Sequence, residues 1–231
     1  MYPQAVFSPA SRGRLTPRDL ARFPGDTLFD RLGRAVCAAG VLPRKELYEA
    51  WEVARRVRRR FRGGRVVDMA AGHGLLALAL LLLDDTSPEA LAVDTTVPPS
   101  ATAVEEVVVR AWPRLAGRVR RVTTSVDDVP LDAADLVVSS HACGTLTDRI
   151  LDRAIAARCR VAVLPCCHDA RTCDAGGLTG WMDAALAVDT VRALRLRVAG
   201  YEVWTQAIPA AITPKHRLLI GAPGQLQRDD L

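Results

Sequence analysis

Two periodicities divide the chain. Between residues 26 and 62, apolar positions recur at three- and four-residue steps: Leu28, Leu32, Val36 and Cys37, then Leu47, Trp51, Ala54, Val57 and Phe61. Such spacing puts each set on one face of a helix. The first helix is predicted to start at Asp26, whose side chain can cap it, and to run to Gly40; the second follows Pro43. From Arg65 onward short apolar runs alternate with helical patterns. Strands are predicted over Val66–Met69, Ala90–Val93, Val119–Thr124, Asp135–Ser139 and Arg160–Leu164. A last helix, about Met182 to Val198, precedes strands at Tyr201–Ile208 and His216–Gly221. The loop between those two, Pro209 to Lys215, has little room for a crossover helix, so they are expected to pair antiparallel. The predicted fold class is α/β: a doubly wound, seven-stranded, Rossmann-like sheet with its last strand antiparallel, plus an N-terminal helical extension. Residues 1–62 form the arm and helices, 63–223 the sheet domain and 224–231 a tail. Within the first segment, residues 1 to about 24 are rich in Pro, Ser, Gly and Arg, and an extended or loosely packed arm is expected there.

Composition adjusts this picture only slightly. With 231 residues, 49% of them hydrophobic, the chain can bury a full core. The net charge of +5 is carried almost entirely by Arg, with Lys only at 45 and 215. Genome composition can produce that bias, so it is discounted as evidence for nucleic acid. The longest apolar run, Leu75 to Leu83, is far short of the ~20 residues of a membrane span. The N-terminus lacks the basic start and apolar core of a signal peptide, and a soluble cytoplasmic protein without membrane partners is expected. The six Cys, at 37, 143, 159, 166, 167 and 173, are then read as thiols.

The chemistry centres on Asp68-Met-Ala-Ala-Gly-His-Gly74, where an apolar strand runs into a turn of small residues and then into a helix. Gly72 and Gly74 allow a ligand close to the backbone, and the helix start offers free N–H groups. A dinucleotide fingerprint would need a third Gly where Ala77 stands. Asp68 ahead of the turn would repel a pyrophosphate and suits a ligand with a cationic amino-acid portion. Asp94, ending the second strand, is placed to accept from ribose hydroxyls. Asp127 or Asp128, after the third strand, could accept from an adenine amino group; the adjacent pair leaves the choice open.

Together these positions resemble the class I S-adenosylmethionine-dependent methyltransferases, over about residues 60 to 222. Asp68 to Gly74 looks like their first motif, with Ala70 where Gly is often found; Asp94 and Asp127 match their ribose and adenine positions. A narrower resemblance lies in Ser140-His-Ala-Cys-Gly-Thr-Leu-Thr-Asp148 and Leu164-Pro-Cys-Cys-His168. These look like a methyltransferase-domain family with a His-Xaa-Cys-Gly motif after strand four, similar to tRNA ribose 2′-O-methyltransferases. Ser140 stands where those enzymes carry Lys. The resemblance implies S-adenosylmethionine as cofactor, held by Asp68, Ala70, Gly72, Gly74, Asp94, Asp127 and His141. It implies methyl transfer by direct displacement, with tRNA-like RNA as the leading acceptor class and a small molecule, or binding without catalysis, as the alternatives.

His141, Cys143, Cys166 and His168 follow strands four and five, whose ends line the ligand crevice in such sheets. They are the catalytic candidates, with Cys166 and His168 expected opposite His141 and Cys143. His141 suits a general base, or it fixes its loop by hydrogen bonds. Cys166 could attack covalently. Cys143, Cys166, Cys167, His168 and Cys173 are zinc-ligand types, but the spacing argues against a shared ion, and no metal is expected. Packing beside the cofactor is the common fate of such thiols. Arg55, Arg56, Arg58, Arg59, Arg60 and Arg62 lie on the outer face of the second helix: either a solvated face, or a contact for RNA. The connection from Asp169 to Gly180 is long enough to serve as a lid, and the four Trp are read as structural.

Overall fold

The computed structural model describes residues 7–224. The predicted tail, apart from Gly224, and the first six residues of the arm lie outside that range. Seven strands form one sheet: β1 (Val66–Met69), β2 (Ala90–Asp94), β3 (Val119–Thr123), β4 (Leu136–Ser139), β5 (Arg160–Val163), β6 (Tyr201–Ala207) and β7 (Arg217–Pro223). Their order is β3-β2-β1-β4-β5-β7-β6. β7 is antiparallel to both of its neighbours, and the other pairings are parallel. The predicted sheet is therefore present, with the last strand inserted between β5 and β6. Strand order reverses at β1 and β4, which opens a crevice beyond their C-terminal ends.

Side chains alternate across the sheet. Val66, Ala90, Leu136 and Ala162 face one core, shared with α1 (Leu28–Ala39), α2 (Arg44–Arg60), α3 (Leu75–Leu83) and α4 (Ser100–Ala111). Val67, Leu91, Val137 and Val161 face the other, under α5 (Thr145–Ala157) and α6 (Ala184–Val198). Helix α3 is Leu and Ala throughout and buried from Leu75 to Leu82. It packs on β1 and β2, against α2 on one side and α4 on the other. The N-terminal helices thus share the sheet's core.

Four expectations need correction, three of them about this half. The arm is not loosely packed: Leu15 and Phe23 are buried and Pro17–Arg22 forms a 3-10 turn. The cause is the start of α2, where Pro43 offers no side-chain cap. The Arg44 and Lys45 N–H groups donate instead to the Gly13 and Ser11 carbonyls, so the arm takes over the capping. Helix α1 is capped by Thr27, which accepts from the Asp30 N–H, whereas Asp26 is exposed and pairs with Arg34. The outer-face arginines are not one set. Arg58 is 3% exposed and donates to the Leu80 carbonyl (3.1 Å) and Ser87 Oγ (2.8 Å), with Asp84 3.0 Å away. Arg55 and Arg56 pair with Glu52, Arg60 stacks on Trp204, and Arg59, Arg60 and Arg62 are exposed. Finally, Trp51 and Trp112 are buried and Trp204 packs on Phe61, but Trp181 is 87% exposed because only a short turn flanks it.

Removing one partner of a buried ion pair strands the other charge. Arg58→Ala is expected to cost about 3–5 kcal/mol of unfolding free energy, read by urea denaturation; Arg59→Ala, on the exposed neighbour, should cost less than about 0.5 kcal/mol.

Candidate functional site

The turn after β1 is built from left-handed residues. Ala70, Gly72 and Gly74 have φ of 58°, 51° and 73°. The first is the costly one, because a Cβ disfavours that region by about 1–2 kcal/mol. A Cβ added at Gly72 would meet nothing within 4 Å, so the turn faces open space there. At Gly74 it would strike the Arg121 guanidinium, which braces the turn by donating to the His73 and Ala101 carbonyls. Asp68 sits beneath, 1% exposed, its Oδ2 accepting from the Ala77 N–H at 3.2 Å. Among the described residues no cation lies within ion-pair distance of it. Burial pushes its carboxyl up to about 7, and the nearby Asp94 adds to this. Asp94 ends β2 as expected, and its Oδ2 accepts from the Gly72 N–H at 2.9 Å. Asp127 is different: its carboxylate is held by Arg149 of α5 in an exposed ion pair.

The crevice has a roof that the sequence reading missed. The N-terminal half of α2 brings Glu46 Oε2 to 3.7 Å from His73 Nε2, and the other ring nitrogen of His73 is 3.0 Å from Ser100 Oγ. One turn on, Glu49 is 3% exposed; one oxygen meets Lys45 at 2.9 Å and the other has no hydrogen-bond partner. Its charge acts on His141, which is open to the crevice yet lowered below the ordinary imidazole range, chiefly by the surrounding protein. His73 is lowered too, first by burial and then by His141. Burial, reinforced by Glu49, pushes Glu46 up to about 7. At neutral pH the crevice therefore holds neutral imidazoles and carboxyls poised to gain or lose a proton. The arginine-rich end of α2 is elsewhere. From Glu46 to Arg58 the helix advances about 18 Å, toward Asp84 and Ser87 beyond the far end of α3.

The motif after β4 turns out to be a loop held from within. Thr147 Oγ1 donates to the Ala142 carbonyl (2.8 Å), and Asp148 takes both Nε and Nη2 of the buried Arg192. Arg192 Nη2 also donates to the Gly144 carbonyl at 2.9 Å, so α6 fixes the loop that carries His141 and Cys143. Cys166, expected opposite Cys143, instead touches it, with 3.0 Å between the sulfurs. His168 does not join them, which corrects its place opposite His141. Its side chain is 1% exposed and its Nε2 lies 2.7 Å from Asp189 of α6, which also accepts from Arg217 and Arg192. That half-buried carboxylate, shared with two arginines, draws the imidazole away from the crevice. The long connection is likewise pinned: Cys173 is buried against Arg192.

The raised carboxyl of Asp68 makes a signed pH prediction. Its folded value of about 7 lies above the unfolded one. Its contribution to stability is complete below about pH 4 and lost as pH rises through about 7. His73 and His141 act in the opposite sense, so the measurement must be differential. Asp68→Asn should gain unfolding free energy relative to the wild type between about pH 5 and about pH 8, followed by urea denaturation.

Among the described residues no helix is long and apolar enough to cross a membrane. No curated protein matches the sequence. Solved structures share the fold at low identity. An O-methyltransferase family protein from Burkholderia thailandensis has a TM-score of 0.53 at 19% identity, over 92% of this chain and 64% of that one. The chain thus spans just under two thirds of that protein's length. SibL, an S-adenosylmethionine-dependent methyltransferase solved in its apo form, has a TM-score of 0.52 at 19% identity, over 96% and 71%. A ribosomal protein L11 methylase from Lactobacillus delbrueckii subsp. bulgaricus has a TM-score of 0.51 at 15% identity, over 78% and 79%. A family model described as a methyltransferase domain matches residues 45–173, more than half of the sequence and the segment that carries the roof, the glycine turn and the β4 and β5 loops. On that match the chain belongs to the methyltransferase-domain family.

Proposed function

We propose that this enzyme transfers a methyl group from S-adenosylmethionine to a protic acceptor bound between the glycine turn and the β4 loop. One observation carries the donor assignment: Asp68 is a buried carboxyl with no cation at ion-pair distance among the described residues, set beneath a left-handed turn whose Gly72 faces open space. A ligand with an ammonium group supplies the missing charge, and Asp94 beside the turn suits its ribose hydroxyls. When bound, S-adenosylmethionine supplies an electrophilic methyl on a sulfonium. The protein's part is to hold donor and acceptor in line and to take the acceptor's proton. His141 is the group for that proton: it is neutral, accessible and under the field of Glu49, which favours the imidazolium as it forms.

The second reading concerns the acceptor. RNA is the class implied by the motif resemblance, and the exposed Arg59, Arg60 and Arg62 favour it. An RNA bound there would have to span about 18 Å from the roof to those arginines. A small-molecule acceptor needs no contact with those arginines.

Calorimetry with S-adenosylmethionine tests the donor site: Asp94→Ala and Asp68→Asn should each weaken binding about tenfold or more, the loss of roughly one charge-assisted hydrogen bond. Unchanged affinity in both would refute the assignment. A cell extract supplied with labelled donor and resolved into RNA, protein and small molecules then identifies the acceptor. His141→Ala should lower transfer by about 100-fold at saturating donor. Label in RNA, together with tRNA binding that weakens with salt and on removal of Arg59 and Arg62, supports the RNA reading; label confined to small molecules excludes it.

A further inference from the structure

Three thiols converge at the ends of β4 and β5. Cys143 Sγ is 3.0 Å from Cys166 Sγ and 3.3 Å from Cys167 Sγ, and the latter two are 3.7 Å apart. The parallel register explains why distant residues meet. Ser139 pairs with Val163, and four residues further along each chain Cys143 forms a β-bridge with Cys167. Sequence spacing, which argued against a shared ion, is no obstacle once two neighbouring strands end side by side.

We propose that Cys143, Cys166 and Cys167 bind one thiophilic divalent cation of the zinc type, with a fourth coordination position left open. No pair is at the ~2.05 Å of a disulfide. A tetrahedral centre with Zn–S bonds of about 2.3 Å spaces its sulfurs about 3.8 Å apart. Cys166 and Cys167 already stand at that separation, and Cys143 would retreat by less than about 1 Å.

Two other fates for the cluster fit less well. A nucleophilic thiolate needs a nearby cation to create it. Here the partners of Cys143 and Cys166 are the other thiols and the Ala142 carbonyl, none of them a cation. A bound cation supplies the missing charge: three S–H protons leave to solvent as three metal–sulfur bonds form. The centre then carries one negative charge, and the start of α5 at Thr145 favours it there. Simple packing is the other fate, but Cys143 and Cys167 are exposed, so the cluster is not sealed in the core. That exposure also gives an ion its path. The fourth position stays open because the next candidate ligand, His168, is committed to Asp189. Three protein ligands with one vacancy is the arrangement of zinc sites that engage a substrate atom.

The test reads metal rather than methyl transfer, so it is independent of the donor assignment. The full chain is kept reduced, stripped with a chelator and titrated with Zn²⁺ against a chromogenic competitor, with native mass spectrometry for stoichiometry. One zinc per chain and the loss of three titratable thiols are expected. Co²⁺ in its place should give sulfur-to-metal charge transfer and a tetrahedral spectrum. Cys143→Ser, Cys166→Ser and Cys167→Ser should each weaken zinc by about 100-fold or more, since even outer-shell partners cost 10–100-fold. Cys173→Ser should leave affinity unchanged, and circular dichroism reports whether each variant is folded. The proposal is overturned if the reduced protein takes up no zinc, if a folded Cys143→Ser/Cys166→Ser variant binds it as tightly, or if cobalt shows no thiolate band.

Discussion

Helix α3 cannot be wetted on any side. Its sequence from Leu75 to Leu82 is entirely Leu and Ala, and all eight residues are buried. A sheet can cover only one face of such a helix, so the fold must supply further walls. Helices α2 and α4 are those walls. Once α2 lies along α3, its first turns stand over the crevice and its last turn meets Asp84 at the far end of α3. The acidic roof and the buried Arg58 pair are thus two ends of one packing requirement. Burying several Leu side chains is worth about 1.5–3 kcal/mol each, ample to hold Glu49 and Arg58 where water would otherwise be their better neighbour.

Much of the fold was legible because the hydrophobic period changes cleanly from helix to strand at Arg65, and because the loop before β7 is too short for a crossover. The glycine turn and Asp94 were legible for the same local reason: each ends a strand. What escaped depends on distant packing. Arg58 was grouped with its neighbours, although it falls seven residues after Trp51 and four after Ala54, on the stripe that faces the core. Glu46 and Glu49 sit beside that same stripe, and only the covering of α3 turns them into a roof. The orientation of His168 follows from Asp189, on a helix that begins sixteen residues later. The thiol cluster was hidden because strand register, not sequence spacing, brings its members together.

The crevice keeps its charges in reserve. Asp68 and Glu46 are both pushed up to about 7 and both imidazoles are held low, so burial rather than ion pairing sets the local balance. Elsewhere in the chain acids are paired with arginines, as at Asp148, Asp189 and Asp84. The contrast marks the crevice as the place where the fold leaves electrostatic work undone, and a cationic ligand would do it.

The position of β7 has a consequence for how the molecule is made. During synthesis the chain emerges from its N-terminus, and β1 to β5 can pair in the order they appear. Strand β6 cannot join them, because its partner β7 must first slot in beside β5. Until the last residues of β7 are released, the growing chain presents β5 as an open edge, with the Cys166-Cys167 pair at its tip. For that interval a strand that ends up inside the sheet is open to pairing with a neighbouring nascent chain.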